Sequence, residues 1–310
     1  MVTRVSTAGN YASVLANLMV AQQRQIEAGN QVATQKKGSN LKDYAKSAEL
    51  LTAMRSVQAR QQVYQDQNGM VADKLTTQDS ALSQVTNSAT AIRQAITDAL
   101  ASGHGDTLMQ DLQAQMTNAV EGMNARYNGK YLFAGGQIDT KPVTAVQMSD
   151  LTVAPAIISS FFQNDSFKAQ AKVDDSTTVT TGVLASDIGT PLMTALQAIQ
   201  SFQEGPSGPF TGKLTAAQTT FLQSQLAGLD TVRTDLTGMT AGNGLVQQRV
   251  ASVKDNLTTR DNTLAGMVGD ITDADMAQAA SQLQLAQLSV QAAAQVYQTL
   301  QQSSLLNLLK

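Results

Sequence analysis

Between Leu50 and Ile96 the chain carries fourteen positions separated alternately by four and three residues: Leu50, Met54, Val57, Gln61, Tyr64, Asn68, Val71, Leu75, Gln78, Leu82, Val85, Ala89, Ile92 and Ile96. Such alternation keeps one stripe on the same side of an α-helix over its whole length. It therefore predicts a single helix of about fifty residues, on the order of 75 Å long, and restricts the chain to folds that give so long a helix a partner. Gln61, Asn68 and Gln78 interrupt the stripe, as buried amides do where register matters more than stability.

A second stripe ends the chain. Met276, Ala279, Leu283, Ala286, Val290, Ala293, Tyr297 and Leu300 follow the same spacing, and Leu305, Leu306, Leu308 and Leu309 leave an apolar terminus. Few of these residues are large and the intervening ones are mostly Gln, Ala and Ser, so a lone helix here would be marginal. It expects a partner. A third stripe runs through Val246, Val250, Val253, Leu257, Arg260, Leu264, Met267 and Ile271. It is two residues out of phase with the last one, with Gly266 and Gly269 beside the slip, which predicts a hinge.

The rest of the chain falls between these stripes. A first helix is expected from Gly9–Asn10 to Gln35, with Leu15, Leu18, Met19 and Ile26 on one face. Lys36-Lys37-Gly38-Ser39-Asn40 reads as a solvated loop, and a helix is expected through Leu108, Leu112, Met116, Ala119 and Met123. Tyr127-Asn128-Gly129-Lys130-Tyr131-Leu132-Phe133 sets an Asn-Gly turn before a β-type run, a hairpin signal. All five prolines lie within 142–209, together with a β-branched cluster from Val173 to Val183. Helical spacing resumes at Leu192, and a turn is expected at Gly242-Asn243-Gly244. The expected fold is mainly α, with long coiled-coil-like helical arms from both termini and a small β-rich inserted domain. The domain division is 1–40 with 270–310 (terminal helices), 41–135 with 191–269 (long helices) and 136–190 (the insert).

Composition narrows the function. Only 15% of residues are charged, against about a quarter in typical domains, and aromatic residues make up 4%. That suits long helices with narrow seams better than a thick mixed core. A net charge of −3 leaves no basic footprint for nucleic acid. There is no cysteine and a single histidine, His104, between two glycines. A thiol nucleophile and a His/Cys metal site therefore have nothing to build from, and His104 reads as a loop residue. Asp270, Asp273 and Asp275 lack the other ligands of a Ca²⁺ loop and read as caps of the terminal helix. Gly135-Gly136 lacks the Lys-Ser/Thr of a phosphate loop and reads as a turn. No cofactor and no metal are expected, and no enzymatic activity. No apolar run is long enough to span a bilayer. The polar faces are Gln and Ala rather than Lys and Arg, which favours helix packing over membrane-surface binding. The residues alone leave open a self-assembling structural subunit and a cytoplasmic coiled-coil scaffold.

The residues Ile271-Thr272-Asp273-Ala274-Asp275-Met276-Ala277, the Gln/Ala-rich seam and the ending Ser304-Leu305-Leu306-Asn307-Leu308-Leu309-Lys310 resemble the C-terminal region of the bacterial flagellin superfamily. Arg4-Val5-Ser6-Thr7 resembles its N-terminal region. The aromatic motif Tyr127, Asn128, Gly129, Tyr131, Leu132 and Phe133 is most like the branch of that family found at the hook–filament junction. Asn40-Leu41-Lys42-Asp43-Tyr44 stands where the family often has an acidic-acidic-Pro group. The resemblance implies a flagellar structural subunit at the junction, with filament flagellin as the alternative. It implies export without a cleaved signal peptide, an extracellular location, and partners that are copies of itself, the axial proteins on the hook and filament sides and an export chaperone. The expected self-assembly seam is Leu15, Leu18, Ile26, Met276, Leu283, Val290, Tyr297, Leu300, Leu305 and Leu308.

Overall fold

The computed structural model describes residues 2–308, with side chains described from Ala12 to Gln301. Six helices account for most of it: α1 (Val2–Thr34), α2 (Ala48–Ser102), α3 (Leu108–Met123), α4 (Ala185–Glu204), α5 (Ala216–Thr272) and α6 (Met276–Leu308). Two antiparallel ribbons supply the strands, β1 (Arg126–Tyr127) with β2 (Lys130–Tyr131) and β3 (Gln170–Lys172) with β4 (Thr178–Thr180). The fold is mainly α with a small β region. The chain divides into two compact units, residues 62–258 and residues 1–61 with 259–310, to both of which α2 and α5 contribute.

In the unit 62–258 the predicted stripe is the core. Leu82, Val85, Ala89, Ile92 and Ile96 of α2 are fully buried among Leu112 and Met116 of α3, Leu192 and Leu196 of α4, and Leu222 and Leu229 of α5. Burying each large side chain contributes about 1.5–3 kcal/mol, so this cluster carries most of the unit's stability. A smaller cluster lies beside it, where Val173 and Val179 of the β3–β4 ribbon cover Leu75, Val250, Val253 and Leu257. The β-branched run predicted this ribbon. Its first flank pairs as Gln170↔Thr180, Ala171↔Val179 and Lys172↔Thr178.

The Asn-Gly turn forms as its sequence predicts. Asn128 and Gly129 adopt φ of 50° and 78°, the paired left-handed residues of a tight hairpin turn, and Tyr127 pairs with Lys130. The residues after it turn inward at once. Leu132, Phe133 and Ala134 are buried, and the Phe133 carbonyl accepts from the Ala185 N–H at the start of α4. The Gly135-Gly136 turn is held by Asp165, whose Oδ1 accepts from the N–H groups of Gly136 and Phe167, both at 2.9 Å. A Cβ on Gly135 would sit 2.2 Å from that oxygen. Those two N–H groups hold the Asp165 carboxyl below the ordinary carboxylate range.

Four expectations need correction. The first helix starts at Val2 rather than at Gly9–Asn10, because one glycine costs only about 1 kcal/mol in a helix this long. The hinge expected at Gly266 and Gly269 falls later, at Asp273-Ala274-Asp275. In the stretch before Gln61 the stripe is one residue out, with Leu51 buried and Leu50 and Val57 exposed. The turn expected at Gly242-Asn243-Gly244 does not exist, since α5 runs unbroken through it.

The physical reason for that last difference is Asn243. It is buried, accepts from Gln78 Nε2 at 3.1 Å, and donates from Nδ2 to the Leu75 carbonyl at 3.0 Å. Gln247 adds a second bond to the same carbonyl at 2.9 Å. Asn68 donates to the Val173 carbonyl at 2.9 Å. These amides fix the pairing of α2 with α5 and with the ribbon, so a residue type that usually breaks helices here holds two of them together. Replacing Asn243 by Ala strands the buried Gln78 amide, which should cost about 1–3 kcal/mol in urea denaturation. Gly242→Ala, one residue away, should instead stabilise by about 0.5–1 kcal/mol, because nothing lies within 4 Å of the added Cβ.

Candidate assembly surface

In the unit formed by residues 1–61 and 259–310, α1 and α6 lie side by side and antiparallel. The Ala274 N–H donates to the Gln35 carbonyl at one end, and Gly29 faces Leu283 farther along. The contact between them is narrow. Ala21 and Ala28 of α1 and Ala279 and Ala286 of α6 are its buried residues, flanked by half-buried Leu18, Leu283, Val290, Tyr297 and Leu300. Small side chains let two helices approach closely, but they remove little apolar surface from water.

The large apolar residues point elsewhere. Leu15, Met19 and Ile26 are 48%, 63% and 58% exposed, and Leu285, Leu288 and Val296 are 62%, 63% and 50% exposed. The stripe expected from the sequence is thus split by the structure. Leu18, Leu283, Val290, Tyr297 and Leu300 face the intramolecular seam, Met276 lies at its edge, and Leu15 and Ile26 face outward. The side chains of Leu305 and Leu308 lie outside the described residues. The outward row Leu285, Leu288, Val296 was missed by the sequence reading. Its signal was present, since 285, 288, 292 and 296 repeat the same three- and four-residue steps one stripe over.

A compact clasp closes one end of this pair. Lys36, expected in a solvated loop, forms an ion pair with Asp273 at 2.5 Å, and their backbones form a β-bridge. The Lys37 N–H donates to the Thr272 carbonyl at 2.7 Å, and its Nζ reaches the carbonyls of Asp270 and Ile271 at 3.0 and 3.1 Å. Those are among the last carbonyls of α5, which have no partner inside the helix, and a cation is the group that best satisfies them. Tyr44 is the hub. Its hydroxyl donates to the Gly38 carbonyl at 2.8 Å, accepts from the Gly38 N–H at 3.0 Å, and lies 3.3 Å from the Thr272 carbonyl. Gln35 turns the corner with φ of 59°. The three aspartates divide their work. Asp275 caps α6 by accepting from the N–H groups of Ala277 and Gln278 at 2.9 and 3.1 Å, Asp273 holds Lys36, and Asp270 contributes its carbonyl.

Lys36 and the Thr272 hydroxyl hold the Asp273 carboxyl below the ordinary carboxylate range. A carboxyl with a lowered folded value contributes its stabilisation above the unfolded value, about 3.9, and loses it as the pH falls through the folded one. Hydrogen-exchange protection of residues 35–44 should therefore be flat from neutral pH down to about 5, then drop below about 4. Asp273→Asn should show the low protection at every pH and no such step.

Among the described residues, no three metal-ligating side chains come together and no helix is long and apolar enough to cross a membrane. His104 lies exposed in the loop after α2, 3.6 Å from Asp106. What the α1–α6 pair presents to solvent includes the apolar rows Leu15, Met19 and Ile26 and Leu285, Leu288 and Val296.

Comparison with known proteins agrees with that description. Residues 5–137 match the bacterial flagellin N-terminal helical region, and residues 226–309 match the bacterial flagellin C-terminal helical region. The chain belongs to the bacterial flagellin family. The clasp, the Asn-Gly hairpin, α6 and all of α1 beyond its first three residues fall within the two matched regions. The flagellar hook-associated protein 3 of Salmonella typhimurium is 27% identical over 148 residues, a match that spans 45% of this chain and 45% of that protein. Two solved structures share the fold. One, assigned to a flagellar hook-associated protein of Vibrio parahaemolyticus, has a TM-score of 0.60 at 15% identity, over 74% of this chain and all of that one. The other, FlgL of Bacillus cereus, has a TM-score of 0.55 at 16% identity, over 70% of this chain and 99% of that one.

Proposed function

We propose that this flagellin-family protein is the junction subunit between hook and filament, a non-enzymatic part that assembles with copies of itself and with the axial proteins on either side. The observation that carries the self-assembly reading is the inverted α1–α6 pair, with alanines inside and leucines outside. A helix pair that leaves Leu15, Met19 and Ile26 on one member and Leu285, Leu288 and Val296 on the other in water is incomplete. Apolar rows of this kind mark protein-protein contacts, and each residue would contribute about 1.5–3 kcal/mol on burial against a neighbour. Met276, Leu283, Val290, Tyr297 and Leu300 serve the inner face of the pair, and Leu15, Ile26 and the outer row of α6 serve the contacts between subunits.

The choice of the junction is supported by the named hook-associated relative and by the aromatic hairpin Tyr127–Phe133. In this reading the subunit leaves the cell through the flagellar export channel without a cleaved signal peptide, held by an export chaperone that covers its outer rows. The terminal helices form the assembly domain, 1–40 with 270–310. Filament flagellin is the second reading, favoured by the Leu-Leu-Asn-Leu-Leu-Lys ending.

Two measurements test these statements. The double substitution Leu285→Asp/Leu288→Asp should abolish incorporation into flagella while circular dichroism keeps its helical signal; a variant that still assembles refutes the outer row as the contact. Antibody labelling of isolated flagella should give a narrow band at the distal end of the hook, whereas label along the whole filament establishes the flagellin reading instead.

A further inference from the structure

Asparagine followed by glycine occurs three times in the chain, at Asn68-Gly69, Asn128-Gly129 and Asn243-Gly244. This dipeptide carries its own reaction. Glycine has no Cβ to hold its backbone nitrogen away from the preceding side chain, so that nitrogen can attack the asparagine carboxamide carbon. A bond from the glycine nitrogen to Cγ forms, the bond from Cγ to the side-chain nitrogen breaks, and ammonia leaves behind a five-membered imide ring. Water, the one co-reactant, then opens the ring at either carbonyl. Cleavage of the new bond to Cγ gives aspartate. Cleavage of the original peptide bond gives isoaspartate, whose main chain runs through the former side chain. Ring closure turns the asparagine ψ well outside the helical range, so the local fold decides whether the reaction proceeds.

The three sites differ sharply in their surroundings. Asn68 and Asn243 lie inside α2 and α5 and are 0% and 4% exposed. Their carboxamides are held, Asn68 by the Val173 carbonyl and Asn243 by Gln78 and the Leu75 carbonyl. The N–H groups of Gly69 and Gly244 belong to the helix ladders. Closing a ring at either site means melting part of a long, packed helix, an opening at the costly end of the range for a folded protein. Asn128 is exposed at the tip of the β1–β2 hairpin. Among the described residues no hydrogen bond engages its carboxamide or the Gly129 N–H, and nothing lies within 4 Å of a Cβ placed on Gly129. Rotation at Asn128 disturbs only the Tyr127–Lys130 pair beneath it. We infer that Asn128 is a site of spontaneous covalent modification, converting to aspartate and isoaspartate in the folded protein while Asn68 and Asn243 stay intact. The aspartate product keeps the turn, since aspartate also tolerates left-handed φ. The isoaspartate product adds a backbone carbon to a two-residue turn and shifts Tyr127 against Lys130. Either product sets a new carboxylate two residues from both Arg126 and Lys130. The inference does not depend on whether the subunit sits at the junction or in the filament.

The test uses the full-length chain without substitution. Purified protein is held at mildly alkaline pH, once in native buffer and once unfolded in guanidinium chloride, and peptides spanning the three asparagines are followed by mass spectrometry. Unfolded protein supplies the intrinsic rate at each site, and the ratio of native to unfolded rate measures the shielding by the fold. That ratio should be at least about tenfold higher at Asn128 than at Asn68 and Asn243, because only the latter two wait for a buried helix to open. Isoaspartate, distinguished from aspartate by electron-transfer fragmentation, should accumulate at position 128 in the native sample. The inference is overturned if folding shields Asn128 as strongly as the other two, or if Asn68 or Asn243 converts first in native buffer. Conversion of Asn128 to aspartate with no isoaspartate also overturns it, since the ring is then not the route.

Discussion

Two segments that lie 237 residues apart in sequence meet at Lys36 and Asp273. The contact that joins them is small: an ion pair, a lysine on exposed helix carbonyls and one tyrosine hydroxyl serving three backbone groups. Its consequences reach the whole terminal unit. It satisfies the end of α5, positions the cap of α6, and sets where α6 begins along α1. Closing so long a loop costs chain entropy; the two segments are the ones that lead into α2 and out of α5.

Burial of large side chains is distributed unevenly between the two units. The unit 62–258 has a thick core of leucine, isoleucine, methionine and phenylalanine drawn from four helices and the hairpin loop. The terminal unit has an alanine seam and polar caps. The first buries large apolar side chains, whereas the described part of the second buries mainly alanines and leaves large apolar residues exposed. On the proposed self-assembly reading, the incomplete part is the part that neighbouring subunits finish.

Polar residues do the specifying in both units. Asn243, Gln78 and Asn68 pin α2 against α5 and the ribbon; Lys36, Tyr44 and Asp273 pin the corner of the terminal pair. Apolar residues in regular heptads supply affinity but little register, since one heptad looks much like the next. The Gln78–Asn243 pair lies inside its seam and holds register from within. The contacts of Lys36, Lys37 and Tyr44 lie at the end of theirs, where α5 stops and α6 begins.

Much of this was legible in the sequence. The four-three spacing from Leu50 to Ile96 requires one long helix, because no other backbone geometry gives that repeat, although its first positions, Leu50 and Val57, face solvent. Asn128-Gly129 requires a tight turn, because both residues tolerate positive φ. The arrangement of an all-helical frame around a small β region followed from where those local signals fell. Tertiary structure decided the rest. The spacing of α1 and α6 offers two adjacent stripes, and only packing shows that the alanine stripe turns inward while Leu285, Leu288 and Val296 turn out. Glycine and asparagine at 242–244 carry the signature of a turn, and only the proximity of Gln78 and the Leu75 carbonyl gives Asn243 a reason to stay helical. Lys36 and Lys37 look like any solvated pair until the open end of α5 arrives beside them. Local geometry depends on neighbours in sequence and can be read there, whereas the choice between faces and the partners of polar groups depend on residues brought together only by the fold.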